Sequence, residues 1–202
     1  MSRTLLTGSW YALARPPLLV PAALAAVLPV MAYRALNDGY ATQVVLGVAV
    51  ILACALAATA DDPAHEVAAA SPHPRATRCA ARLLVGLALA LPIAVFALVI
   101  ADHQAVEIRL AGTALQMAAF VAVGPAVGFG VWAWSDVNQA THVATVAVLS
   151  VCLGLWAIPH TLAVVSIQPW GPPWEAVLIR WGALVLLALA TIAAAWRDPL
   201  AR

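Results

Sequence analysis

The run from Ala41 to Ala60 contains no charged side chain and no proline. Wound as a helix it is about 30 Å long, the thickness of a bilayer's hydrocarbon core. It does not alternate polar with apolar positions, so a lipid-facing barrel strand fits it poorly. Runs of the same kind recur along the chain and leave only 9% of its 202 residues charged, against about a quarter in a soluble domain. A surface so short of charge belongs in lipid. There each spanning segment must satisfy its own backbone groups, which selects helices. The expected fold is all-α: a polytopic membrane protein forming a single transmembrane domain over residues 1–202.

Polar interruptions divide the chain into six expected spans at about 18–33, 41–60, 83–101, 110–131, 141–165 and 176–196. Pro16-Pro17 marks the turn into the first, and residues 2–15 have the makings of an interfacial helix with Leu6, Trp10 and Leu13 on one face. Arg3 is not followed by an apolar run, which argues against a cleaved signal peptide. Prolines inside the spans (Pro29, Pro92, Pro125, Pro159) are candidate kinks or flexing points. Arg180 and Trp181 sit one turn inside the sixth span, where arginine can snorkel to the headgroups. All ten basic residues are arginine, and this with the heavy use of alanine fits a GC-rich bacterial genome. Placing both termini in the cytoplasm puts seven arginines inside and three outside, the bias the positive-inside rule favours. The expected location is the bacterial plasma membrane, with loop 61–82 cytoplasmic.

That loop is the longest polar stretch in the chain: Asp-Asp-Pro-Ala-His-Glu-Val-Ala-Ala-Ala-Ser-Pro, then Arg75, Arg78 and Arg82. Asp62 can cap a helix that begins at Pro63, where the missing N–H of proline does no harm. Glu66 falls in the first turn, which favours negative charge, and Ser71-Pro72 stops the helix. A two-turn cytoplasmic helix is expected between spans two and three. Arg75, Arg78 and Arg82, spaced by three and four, share one helical face. That face is expected to meet anionic lipid headgroups and anchor the entry to span three.

Span four carries Gly124 and Gly128, a GxxxG strip on which a second backbone can lie closely. The strip suits packing inside the subunit or an interface with a second copy. Little else in the chain suggests chemistry. No acid lies at mid-membrane, which argues against a proton- or sodium-driven carrier. His142 and His160 could serve as ligands to a haem or a metal, but 18 residues of helix put them about 27 Å apart, too far to share one metal. Cys54, Cys79 and Cys152 form no CxxC, and they read as small buried residues. His65-Glu66 lacks the second histidine of a zinc protease motif, and no serine sits in a nucleophile elbow. No catalytic or metal site is expected, and the net charge of +1 gives no ground for nucleic-acid binding.

The stretch from Asp61 to Pro72, with the three arginines leading into span three, resembles the actinobacterial branch of ABC-2-type transporter permeases. The resemblance implies six spans with both termini inside. It also implies that Asp62, Pro63, His65, Glu66, Val67 and Ser71 belong to a coupling helix docked on an ATP-hydrolysing partner, with two permease copies or paralogues forming the path. The space between spans five and six is shorter than the family often has. The chain lacks a G-x-x-x-x-G-K-[ST] loop, so ATP and magnesium would sit on the partner and this chain would bind no cofactor. Export of a lipophilic molecule or peptide is the function this implies. The competing expectation is a non-transporting accessory or assembly subunit, for example one handling haem or a quinone.

Overall fold

A computed structural model describes residues 15–35, 41–60, 75–104, 110–134, 140–157 and 173–196. They form α1 (Arg15–Ala35), α2 (Ala41–Ala57), α3 (Arg75–Gln104), α4 (Leu110–Trp134), α5 (Ala140–Ala157) and α6 (Pro173–Trp196). A buried 3-10 turn, Ala58–Ala60, closes α2. Four segments are long and apolar enough to cross a membrane: Gln43–Ala60, Thr77–His103, Leu110–Val131 and Glu175–Trp196. The apolar stretches of α1 and α5 are shorter, Leu19–Met31 and His142–Gly154.

Two helices make the centre. Of the α2 span 67% is buried and of the α4 span 61%, whereas the spans of α3 and α6 are each 22% buried. α2 packs along α4 and also meets α1, α3 and α5, while α4 carries α6 and α5 on its other sides. The interior is built largely of small side chains, among them Ala49, Ala53, Ala57, Ala119 and Ala144. The large apolar ones point outward: Leu84, Leu87, Leu91, Val95 and Val99 follow one another at helical spacing down the exposed side of α3. Water would penalise such a surface. Lipid does not, and association there depends on close backbone approach rather than on burying large side chains. The chain is a helical membrane protein.

The contacts fix the directions of the helices. Gly124 lies on Ala53 and Gly128 on Ala57, so α2 and α4 run parallel. The ring pairs Phe120–Trp181 and Phe129–Trp196 advance together, so α4 and α6 are parallel as well. In contrast, Cys79 and Leu83 cluster with Ala60 while Val85 and Leu89 pack on Ala55, so α3 runs against α2.

Three boundaries differ from the expectation. Pro16 and Pro17 lie in the first turn of α1 rather than before it, as proline's fixed φ and missing N–H allow. α3 begins at Arg75, two turns ahead of the expected Leu83, so the arginines belong to the same helix as the span. Pro173 and Glu175 open α6 instead of closing the preceding loop.

Candidate functional site

The expected coupling residues Asp62, Pro63, His65, Glu66, Val67 and Ser71 lie outside the described residues, as do His160, Pro159 and the segment before Arg15. What the structure does describe is the platform from which residues 61–74 leave and to which they return. Ala60 is 1% exposed and Cys79 2%. Both belong to one buried cluster with Leu83 of α3, Ala126 and Phe129 of α4, and Ala188, Ile192 and Ala195 of α6. Thr59 turns its hydroxyl back to donate to the Leu56 carbonyl at 2.6 Å, which satisfies the hydroxyl inside the buried turn.

Two close approaches join this platform to the bundle core. A Cβ at Gly124 would overlap the carbonyl oxygen of Ala53, and one at Gly128 would stand 2.6 Å from that of Ala57. The small-residue strip of α4 is thus used within the chain, backbone against backbone, with α2. On the other side of α2, a Cβ at Gly86 would meet Thr59 Cγ2 at 2.7 Å and Leu56 Cδ2 at 2.9 Å. The end of α2 is thus held in close contact by α3 and α4 at once.

Arg82 departs from the expected headgroup-facing role. Its side chain is 1% exposed, and Nη2 donates to Cys79 Sγ at 3.5 Å. The physical reason is periodicity. Arg82, Gly86 and Ala90 succeed one another at intervals of four on the side of α3 that packs inward, where Cys79 also lies. Arg82 lies on the packed face of α3, not on its lipid face. Arg78 is half-buried on the same helix, and the side chain of Arg75 lies outside the described residues.

The second polar feature lies further from the loop. Gln116, in the second turn of α4, is 1% exposed, and neither its Nε2 nor its Oε1 meets a hydrogen-bond partner among the described residues. Trp181 of α6 is 2% exposed with its Nε1 in the same condition. The Trp181 ring rests 5.0 Å from that of Phe120, one turn along from Gln116. Trp181 is thus a packed core residue, while its neighbour Arg180 is exposed. Sequence reasoning passed over Gln116. The available signal was a lone amide in an otherwise apolar span, which calls for a partner.

Beyond this polar layer, toward Trp134, the α4–α5–α6 side holds an apolar cavity of about 510 Å³. Among the described residues no three His, Cys, Asp or Glu side chains come together as a metal-holding group, and His142 is exposed. Comparison with protein-family models, with curated proteins and with solved structures returned no match.

Proposed function

We propose that the chain is the membrane subunit of an ATP-driven exporter of the ABC-2 permease type, crossing the bacterial plasma membrane six times with both termini in the cytoplasm. The reading is carried by one observation. The polar segment from Asp61 to Pro72, whose sequence offers a helix cap at Asp62-Pro63 and a stop at Ser71-Pro72, lies between residues packed into a single buried cluster, Ala60 before it and Cys79 after it. A P-loop ATPase pressing on Glu66 and Val67 would move the ends of α2 and α3 together. The backbone contacts at Gly86, Gly124 and Gly128 would pass that motion to α4.

Further support comes from direction. With α2, α4 and α6 parallel and α3 running against α2, the chain reverses as successive passes would require. Arg75 and Arg78 would meet headgroups at the rim, whereas Arg82 bonds within α3, to Cys79 one turn back. The chain lacks a phosphate-binding loop of its own, so ATP and magnesium belong to the partner, and a second permease copy or a paralogue completes the path. Purification of the intact complex from its native membrane is expected to bring down a P-loop ATPase. Glu66→Arg and Val67→Arg are expected to leave ATP hydrolysis running while transport stops. Normal coupling in both variants, or a stable complex containing no ATPase, would overturn the proposal.

A further inference from the structure

The α4–α5–α6 cavity has a floor and two rims. Val123, Ala126 and Gly130 of α4 line it as buried residues and form the floor. Val143 and Val151 of α5 and Leu187 of α6 line it too, yet they are 44%, 41% and 65% exposed. α5 and α6 each pack on α4 rather than on one another. The cavity is therefore a groove that opens sideways, onto the surface that lipid covers. Its walls reach close to one end of the bundle, with Val131 near Trp134, Val143 near Ala140 and Thr191 near Trp196. Ala60 and Cys79 sit at that same end, and Ala126 and Ala188 belong both to the groove and to their cluster.

Size decides what can lie there. From Val123 to Val131 the groove is about 12 Å long at 1.5 Å per residue, which fits within one leaflet, half of the ~30 Å hydrocarbon core. Spread over that length, a volume of about 510 Å³ gives a mean cross-section of about 40 Å². A helix with its side chains is about 10–12 Å across, or about 80–110 Å², so a helix of a second copy could seat only part of its width. A hydrocarbon chain at van der Waals contact takes up about 20 Å². Two such chains side by side fill the groove.

The chemistry of the wall agrees. It contains no ionisable side chain among the described residues, and the Thr191 hydroxyl donates to the Leu187 carbonyl at 2.9 Å. Water would find too few partners there, and a charged ligand nothing to offset its desolvation. Left empty, the lining would forfeit its contacts on one side. Lipid tails gain no hydrophobic energy by leaving bulk lipid; they enter because the alternative is a void.

We infer that the groove holds the paired hydrocarbon tails of one membrane lipid, drawn from the leaflet at the Ala60 end of the bundle. Seated there, the tails touch two members of the cluster that holds Ala60 and Cys79, Ala126 and Ala188. Calling that lipid the exporter's cargo rests on the function proposed above; its binding does not.

The test therefore uses the purified full chain in nanodiscs, without ATPase or nucleotide. The probe is a phosphatidylcholine with a diazirine midway along one tail, and labelled peptides are quantified by mass spectrometry after illumination. Leu84 and Leu87, 52% and 38% exposed on α3 near the same end, report ordinary surrounding lipid. Label on the floor, at Val123 and Val127, is expected to equal or exceed theirs. Leu187→Trp at the exposed rim, and Val127→Phe, are expected to lower the Val123 label by about 5-fold or more, the lower end of what overpacking costs, and to leave Leu84 unchanged. A single-tailed lysophosphatidylcholine with the same diazirine is expected to label Val123 less, relative to Leu84, than the two-tailed probe; equal label would overturn the pairing of tails. A wild-type floor labelled less than Leu84 would overturn the inference, as would label on Val123 that ignores both variants. So would disulfide trapping of two copies through Leu187→Cys with the floor unlabelled, which would give the groove to a second copy. Floor labelling of the expected pattern in a protein that never associates with an ATPase would sustain the site while removing the exporter.

Discussion

Replacing Gly124 by alanine puts a methyl group where the carbonyl oxygen of Ala53 already is. The obstacle is backbone in the middle of the most buried helix, so no rotamer change relieves it. At Gly128 the corresponding distance is 2.6 Å to the Ala57 oxygen. A comfortable C–H···O contact begins near 3.3 Å, so α2 and α4 must part there by about 0.7 Å, and by more at Gly124. Overpacking of this kind costs about 1–3 kcal/mol, offset by the ~0.8–1 kcal/mol that alanine gains over glycine in a helix. The expected net loss is about 2 kcal/mol for Gly124→Ala and about 1 kcal/mol for Gly128→Ala. The double variant should lose less than the sum, because one separation of the helices accommodates both methyl groups. Gly154 and Gly182 are the internal controls: nothing lies within 4 Å of a Cβ at either, so alanine there is neutral or mildly stabilising. Equilibrium unfolding in mixed micelles, followed by far-UV circular dichroism, reads all five variants. If Gly124→Ala unfolds with the Gly182→Ala control, α2 and α4 do not meet backbone to backbone. A loss of dimer with no loss of monomer stability would instead place the strip between copies of the chain.

Other perturbations separate the remaining contacts. Gly86→Ala meets only the side-chain ends of Thr59 and Leu56, so it should cost less than Gly124→Ala. Adding Thr59→Ser, which removes Cγ2 and keeps the hydroxyl, should restore most of the loss in the same unfolding assay. Arg82→Ala empties a buried site and is expected to destabilise by about 2–4 kcal/mol, while Thr77→Ala, at an exposed position of the same helix, should stay within ~0.5 kcal/mol. Cysteines placed at Leu91 and Ile179, which are 66% and 74% exposed, should react with a lipid-soluble maleimide and not with a membrane-impermeant one. Labelling from water at both positions would contradict a lipid-facing surface.

Much of the helical layout is legible in the apolar runs, because a bilayer leaves the backbone few choices. The Gly124–Gly128 strip is legible too, since four-residue spacing of glycines needs no context to form a flat face. Which helices are central is not. The α3 span has a mean hydropathy of 2.9 and the α2 span 2.3, yet α3 is the peripheral one. In lipid, hydrophobicity marks membrane depth and not burial, and side-chain size is the better guide: alanine and glycine turn inward, leucine outward. Arg82 shows the same blind spot. Its shared face with Arg78 follows from spacing alone, but whether that face meets lipid or protein is decided by Gly86 and Ala90 further along, small residues whose message the positive charge obscured. Gln116 was hidden for a different reason. A single amide is compatible with any span until its burial leaves both of its polar atoms without partners among the described residues.

The segment that begins just past Ala60 bears the weight of the exporter reading, and one measurement addresses it directly. A photo-crosslinker attached through Val67→Cys should, in inside-out membrane vesicles from cells making the whole complex, trap a P-loop ATPase, and should be unreachable by impermeant reagent in intact cells. Labelling of that cysteine from outside intact cells, or crosslinking to lipid alone while the protein is active, would contradict it.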